Sequence, residues 1–398
     1  MVAGEETVIV LLLILALGLI IPELFKKLRL PIITILIIIG AIMGPAGLGY
    51  VQSNDVIDFF GLLGSAFLML MAGLQVDVTH FNKVKKKVIG MSLINGLIPF
   101  AFGVILMRFY DYSWISSLLV GTVFMSSSIA IIAATMKNTN LIEHEIGQVI
   151  LSATILEDIS SLFLLAIILQ ILAPVTNLPL FVYFTILIIS VIVLKMFLPE
   201  FAIYWFKKHN GKKDVLESEL KFVIVLMLTV LAYFAGLGVH PIVAAFLVGL
   251  LLSDVIKSQE LRSKLHTIGY GVFVPVFFFI IGMGMDFSAF KMFSLGNVLM
   301  VLLILGLIFV KIISGFVSGR IFKFGNKESW LFGIASSAQL TTTLVAVYAA
   351  SQLGLLDSTV TTSIIILSII TTIIVPIGLN KIKIPNKKKK EQKKVGHK

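Results

Sequence analysis

Cysteine is absent from this 398-residue chain, which excludes a disulfide framework, a thiolate nucleophile and any cysteine-ligated metal site. Charge is scarce: 13% of residues are Asp, Glu, Lys or Arg, about half the roughly 25% of a soluble domain. Acidic residues are the rarer sign, 21 against 32 basic ones. The N-terminal MVAGEETVIV has no basic segment ahead of its first apolar run, which argues against a cleavable signal peptide. No Ser/His pair, phosphate-binding loop or pair of intramembrane catalytic aspartates is apparent. His144-Glu145 begins like the zinc-protease HExxH, but Gln148 stands where the second histidine belongs. An enzyme is not expected, nor is a cofactor.

What fills the chain instead is apolar: 58% of residues are hydrophobic and the mean hydropathy is +1.05. About 20 apolar residues span a bilayer, and the runs divide into thirteen expected spans. These are 6–25, 31–50, 56–76, 88–108, 114–136, 146–172, 179–206, 220–237, 240–255, 267–285, 296–322, 328–352 and 358–380. The expected fold is therefore an all-α polytopic membrane protein. Its net charge of +11 reads as basic loops on one side of a bilayer rather than as a nucleic-acid surface. One set of alternate connections, with the tail, holds 28 Lys and Arg against 2 in the other set. By the positive-inside rule that places the N-terminus outside and the C-terminus in the cytoplasm of a cell-membrane protein. The tail IPNKKKKEQKKVGHK reads as a basic segment without core-forming residues that attracts anionic lipid.

An internal repeat organises these spans. AGLQVDVTHF, from Ala72 to Phe81, matches IGMGMDFSAF, from Ile281 to Phe290, with Gly73, Asp77 and Phe81 each 209 residues before Gly282, Asp286 and Phe290. Pro31 to Gly40 matches Pro241 to Gly249 at almost the same offset. The expected organisation is a first repeat over residues 1–173 and a linking helix with its cytoplasmic loop over 174–219. A second, inverted repeat covers 220–380, and the basic tail 381–398. Inverted repeats with sites formed by broken helices are a transporter architecture. Two corresponding spans carry polar clusters at mid-depth: Thr122 with Ser126 to Ser128, and Ser336, Ser337, Gln339 with Thr341 to Thr343. Hydroxyls there can satisfy backbone groups freed by unwinding, although they also serve as ordinary glue between helices.

Within the run QVILSATILEDISSLFLLAIILQ, Glu157 and Asp158 are adjacent. A charge at bilayer centre costs at least about 2.5 kcal/mol, so two together need a use, and an ion or proton site is the default. Neighbours on a helix diverge by about 100°, so the two carboxylates face different partners. Lys311 lies too deep in VLLILGLIFVKIISGFVSGR to snorkel and is the partner expected for one of them. Lys195, near Pro199 and Glu200, reads as snorkelling. Asp77 and Asp286 read as solvated helix ends, and Gln75 as a polar residue near the cavity.

These features together resemble the monovalent cation:proton antiporter superfamily, and specifically its second family, which includes sodium/proton antiporters and the membrane part of glutathione-gated potassium-efflux systems. The resemblance runs through Leu30-Pro31, Gly44-Pro45, GLQVD from Gly73 to Asp77, SATILEDISSL, VPVFFFIIGMGMD from Val274 to Asp286, and Lys311. It implies that Asp158 binds cation and proton alternately and that Glu157 pairs with Lys311; the matched polar clusters add Ser127, Ser128, Thr122 and Gln339 to the expected ion site. It also implies a mobile core of spans 4–6 and 11–13, with spans 5 and 12 broken and crossing, the rest forming the scaffold of a homodimer. The chain departs from the family pattern in Glu157 for Asp, Gln75 for Glu, and SSAQLTT in the twelfth span. The function so implied is exchange of Na⁺ or Li⁺ for H⁺ in pH homeostasis. Exchange of K⁺ for H⁺, a gated cation channel and a non-transporting sensor are the alternatives.

Overall fold

The computed structural model describes residues 3–24, 31–76, 78–138, 141, 144–172, 179–209, 217–287 and 295–382. Asp77, and the tail beyond Ile382, lie outside the described residues. Among the described residues every regular element is a helix. In order they are α1 (Ala3–Leu24), α2 (Ile32–Met43), α3 (Asp55–Leu74), α4 (Val78–Phe109), α5 (Trp114–Met125), α6 (Ile129–Asn138), α7 (Glu145–Leu172), α8 (Leu180–His209) and α9 (Ser218–Gly236). There follow α10 (Pro241–Leu252), α11 (Gln259–Ile268), α12 (Val274–Met283), α13 (Leu295–Val301), α14 (Leu307–Ile321), α15 (Asn326–Ser336), α16 (Thr341–Gln352) and α17 (Ser358–Lys381). Ten helical segments are long and apolar enough to cross a membrane, and three shorter apolar helices accompany them. The chain is a multi-pass membrane protein.

Local chemistry sets the helix ends. α3 starts at an Asn54 cap whose side chain accepts from the Ile57 N–H at 2.9 Å, and α17 at an Asp357 cap accepting from Val360 at 2.8 Å. Two apolar runs are shorter as helices than hydropathy implies. α2 and α10 have 12 residues each, about 18 Å, because Gly44-Pro45 stops the first and a turn over Ser253 to Val255 closes the second. α4 errs the other way: it begins at Val78 and carries the Lys85 to Lys87 cluster on helix, since hydropathy marks where apolar residues begin and not where hydrogen bonding does.

Two seams of bare backbone hold α2 on α12 and α3 on α10. A Cβ at Gly40 would lie 2.0 Å from the Phe279 carbonyl oxygen, and one at Gly282 2.0 Å from that of Ile37. The same approach recurs between α3 and α10, where a Cβ at Gly73 would lie 2.4 Å from the Phe246 oxygen and one at Gly249 2.2 Å from the Leu70 oxygen. Small residues admit such contact, which packs helices by dispersion where lipid leaves no hydrophobic drive. Beside these seams Arg262 of α11 donates to the carbonyls of Ile256, Leu74 and Ser253 at 2.7, 2.9 and 2.8 Å. It thereby satisfies acceptors that the ends of α3 and α10 leave free.

Candidate functional site

The site grows from two interruptions. α5 stops at Met125, Ser126 is extended, and α6 resumes at Ile129. α15 stops at Ser336, and after Leu340 (φ −155°, ψ −79°) α16 resumes at Thr341. Hydroxyls here bond backward to their own helices, Ser126 to the Val123 carbonyl at 3.0 Å and Ser337 to that of Ile334 at 2.8 Å, offering the backbone an alternative to helix.

Backbone groups freed at bilayer depth need partners, and they find them in each other and in the charged residues. Ser128 N–H donates to the Ala338 carbonyl at 2.7 Å, Gln339 Nε2 to the Ser126 carbonyl at 2.7 Å, and Gln339 N–H to Thr371 Oγ1 at 3.1 Å. The Met125 carbonyl accepts from Lys311 Nζ at 2.8 Å. Ser127 N–H points to Asp158 Oδ1 at 3.3 Å.

α7 and α14 bring the charges to this junction. Glu157, Asp158 and Lys311 are 1%, 3% and 0% exposed. Lys311 Nζ, with three protons, donates to Glu157 Oε2 at 2.9 Å, Ser127 Oγ at 3.0 Å and the Met125 carbonyl. Ser127 Oγ has one proton, placed between Glu157 Oε2 and the Ser336 carbonyl, both at 2.7 Å. Glu157 Oε1 accepts from Asn95 Nδ2 at 2.8 Å. Adjacent in sequence, the two carboxylates are served differently. Glu157 meets a formal cation and an amide, whereas Asp158 meets one backbone N–H and the Thr342 side chain.

Of the other residues singled out by sequence, Ser128 is buried with an Oγ that has no hydrogen-bond partner. Thr122 bonds its own helix, Oγ1 donating to the Leu118 carbonyl at 2.8 Å, while its carbonyl accepts from Ser161 Oγ of α7 at 2.9 Å. Gln339 ties the two interruptions together, its Oε1 accepting from Thr343, and reaches neither carboxylate. Gln75 caps α3 and lines a cavity. Lys195 is exposed on α8, and Asp286 N–H donates to Thr362 Oγ1 at 2.9 Å. Asn95 and Ser314 belong to the site without having been singled out, and Thr342 was named only within the cluster Thr341 to Thr343. An amide in the middle of an apolar helix was the available signal for Asn95. Thr154, one turn before Asp158 and so on its face of α7, and Thr341 are buried with hydroxyls that likewise have no partner.

A cavity of about 900 Å³ approaches from the side of the basic connections, lined by Ile129, Leu151, Ile155, Gln75, Arg262 and His266 among others. Leu151, Ile155 and Asp158 share one face of α7, so the cavity runs along the face that carries Asp158, which is not itself among its lining residues. Toward the other side, α16 is buried from Thr341 to Ala350. Tyr348 packs edge-on against Phe277 at 5.6 Å, below a smaller cavity of about 280 Å³ bordered by Asp58 and Gln352.

The molecule is thus a multi-pass helical protein that buries an acidic pair and a lysine where two interrupted helices meet. The family description "Sodium/hydrogen exchanger, transmembrane" matches residues 10–382, and the chain belongs to that family, within the monovalent cation:proton antiporter superfamily. A probable Na⁺/H⁺ antiporter of Methanocaldococcus jannaschii is 32% identical over 380 residues, covering 94% of this chain and 96% of that protein. A Na⁺/H⁺ antiporter of Enterococcus hirae is 25% identical over 384 residues, 94% of this chain and 97% of that protein. In fold the chain is similar to the sodium proton antiporter MjNhaP1 from Methanocaldococcus jannaschii, with a TM-score of 0.73 at 18% identity over 95% of this chain and 99% of that one.

Proposed function

We propose that this chain exchanges Na⁺ for H⁺ across the cell membrane by alternating access. Family membership and the two antiporter relatives support the reaction. One observation carries the mechanism: the two carboxylates of one span have unequal partners. Glu157 is paired with Lys311, whereas Asp158 has no salt-bridge partner of its own among the described residues and meets the Ser127 N–H and the Thr342 side chain. Buried polar atoms without a partner call for an explanation: Ser128 and Thr341 stand at the two interruptions and Thr154 one turn before Asp158 on α7, each with such a hydroxyl, and hydroxyls with a carboxylate are the donor type a hard cation takes. Na⁺ and H⁺ compete for Asp158, so one flux drives the other without a separate gate.

The arrangement of helices supports the transport step. Glycine seams 209 residues apart in sequence, α2 on α12 and α10 on α3, are what two inverted repeats within thirteen spans produce, and they form a scaffold for a homodimer. The polar helices α4 to α7 and α14 to α17 form the moving core. The cavity beside Leu151 and Ile155 is the cytoplasmic entrance, with the N-terminus outside and the C-terminus inside, in keeping with the basic connections on that side. Tyr348 against Phe277 closes the opposite side.

Purified protein in liposomes, with a pH-sensitive dye inside, tests this. An outward Na⁺ gradient acidifies the lumen in the wild type, whereas Asp158→Asn abolishes the response while the purified variant keeps its melting temperature. An Asp158→Asn variant with full exchange would sink the assignment. A response to K⁺ equal to that with Na⁺ would favour the potassium alternative, and a conductance without proton movement a channel.

A further inference from the structure

Two cavities reach toward the interrupted helices from opposite sides, and they differ in charge. The larger, on the side of the basic connections, carries Arg262 and no carboxylate among its described lining residues. Three backbone carbonyls fix that guanidinium in place. The smaller, of about 280 Å³, has a single charged residue among those that line it, Asp58.

Asp58 lies in the first turn of α3, where a carboxylate ordinarily complements the helix dipole. That need is already met, because Asn54 caps the helix through the Ile57 N–H and Asp55 opens the same turn. Asp58 borders the cavity instead. Its Oδ1 accepts from Ser53 Oγ at 2.5 Å, and among the described residues it forms no salt bridge.

The floor of this cavity leads to the interruption. A Cβ at Gly61 would lie 3.6 Å from Tyr348 Oη, and Gly61 is one turn beyond Asp58 on the same face of α3. Tyr348 therefore reaches from α16 to the face that carries Asp58. Two turns before Tyr348 on its own face of α16, about 10 Å away, is Thr341, the buried hydroxyl without a partner at the interruption. One face of α16 thus joins the interruption to the cavity, and Asp58 stands at its outer end.

A carboxylate at the mouth of a cleft acts on ions through its field before any contact, and low-dielectric walls focus that field. At ~6 Å in water-like surroundings a unit charge changes the local concentration of a monovalent cation about threefold. We propose that Asp58 is the cation-steering residue of an outer entrance: it concentrates monovalent cations in the smaller cavity, from which they pass along α16 when Tyr348 parts from Phe277. The inner entrance, bordered by Arg262, has no counterpart. This rests on the antiport reading and the orientation given above.

Right-side-out and inside-out vesicles, from cells lacking other sodium exchangers, present the outer or the inner entrance to added Na⁺, and a pH-sensitive dye reports proton movement. At about 10 mM ionic strength, where charges act over about 30 Å, Asp58→Asn should raise the half-saturating Na⁺ concentration about threefold in right-side-out vesicles. The value in inside-out vesicles should not change. In about 1 M choline chloride the screening length falls to about 3 Å, and the difference should vanish; Asp58→Glu should behave as the wild type. A merely structural role would show on both sides and at either ionic strength. Ser351→Asp adds a second carboxylate at an exposed position bordering the cavity. It should lower the outer value about threefold, and it carries the test if Asp58→Asn does not fold. An outer value unmoved by both Asp58→Asn and Ser351→Asp, or moved equally on the two sides, would overturn the proposal. Absence of Na⁺-driven proton flux in wild-type vesicles of both kinds would instead overturn the antiport reading on which it rests.

Discussion

The helices α2, α3, α10 and α12 and the helices α4 to α7 with α14 to α17 are held together by different physics. The first group meets through glycines that admit backbone to within contact of backbone. The second has such contacts too, Gly333 against the Ile312 carbonyl and Gly121 against that of Phe100, but adds a chain of hydrogen bonds running Asn95, Glu157, Lys311, Ser127, Ser336. Dispersion between close-packed backbones is insensitive to protonation and has one geometry, since any slide meets a side chain. Hydrogen bonds among hydroxyls, amides and charges can exchange partners at small cost, because each hydroxyl here has a second acceptor within reach, as Ser127 has in Glu157 and Ser336. A frame that must not respond to ions is built in the first way, and a site that must respond is built in the second.

The largest effects should come from breaking the frame. Gly282→Ala places a methyl 2.0 Å from the Ile37 carbonyl oxygen, where only a backbone shift relieves the overlap. A cost beyond about 4 kcal/mol is expected, seen as loss of the monodisperse peak in size-exclusion chromatography. Gly236→Ala is the matched control, since nothing lies within 4 Å of its Cβ position. A normal yield of Gly282→Ala would show that the seam is not rigid.

The polar group should behave as a coupled unit. Lys311→Met leaves Glu157 buried without its cation, and Glu157→Gln leaves the ammonium without its anion. Each should cost about 3 to 5 kcal/mol, and the double variant distinctly less than the sum, because a buried pair is dear to break and cheap to replace. Melting temperatures of the four proteins in detergent give the coupling energy. Additive costs would mean that Ser127 and Met125, not Glu157, hold Lys311 in place.

The same division explains what could be read from the chain. Glu157, Asp158 and Lys311 stood out because charge in an apolar run is an energetic anomaly wherever the helix packs. The glycines were visible as matched letters, but not as the seams they make, because a close approach is a property of two helices. Ser126 to Ser128 and Ser336 to Gln339 signalled interruption, yet individual roles did not follow: Thr122 turned to its own helix, and Gln339 to the opposite interruption. Asn95 and Ser314 were hidden by ordinariness. One amide or hydroxyl in an apolar helix costs little and usually serves as interhelical glue; only the meeting of α4, α7 and α14 gives Asn95 a carboxylate to face.

The smallest effect tests whether the polar group is tied together outside its charged centre as well. Tyr112, between α4 and α5, donates to Asp357 Oδ2 at 2.5 Å, and Asp357 caps α17 through its other oxygen. Partial burial, with the Asp357 carboxylate beside it, pushes the Tyr112 phenol well above its ordinary range. Tyr112→Phe should lower stability by about 0.5 kcal/mol at neutral pH, a hydrogen bond discounted for its exposure to solvent. The sign of its pH dependence follows from linkage. A group whose folded value is raised stabilises fully below its unfolded value, here about 10, and loses that contribution as the pH climbs above it. Melting curves of wild type and Tyr112→Phe should therefore stay a constant distance apart from pH 6 to about pH 9, and converge above about pH 10. Curves that coincide at neutral pH would mean that the Asp357 cap and the Ser116 bond to the Leu355 carbonyl already hold this outer corner, and that only the centre of the polar group is tied by hydrogen bonds that matter to its stability.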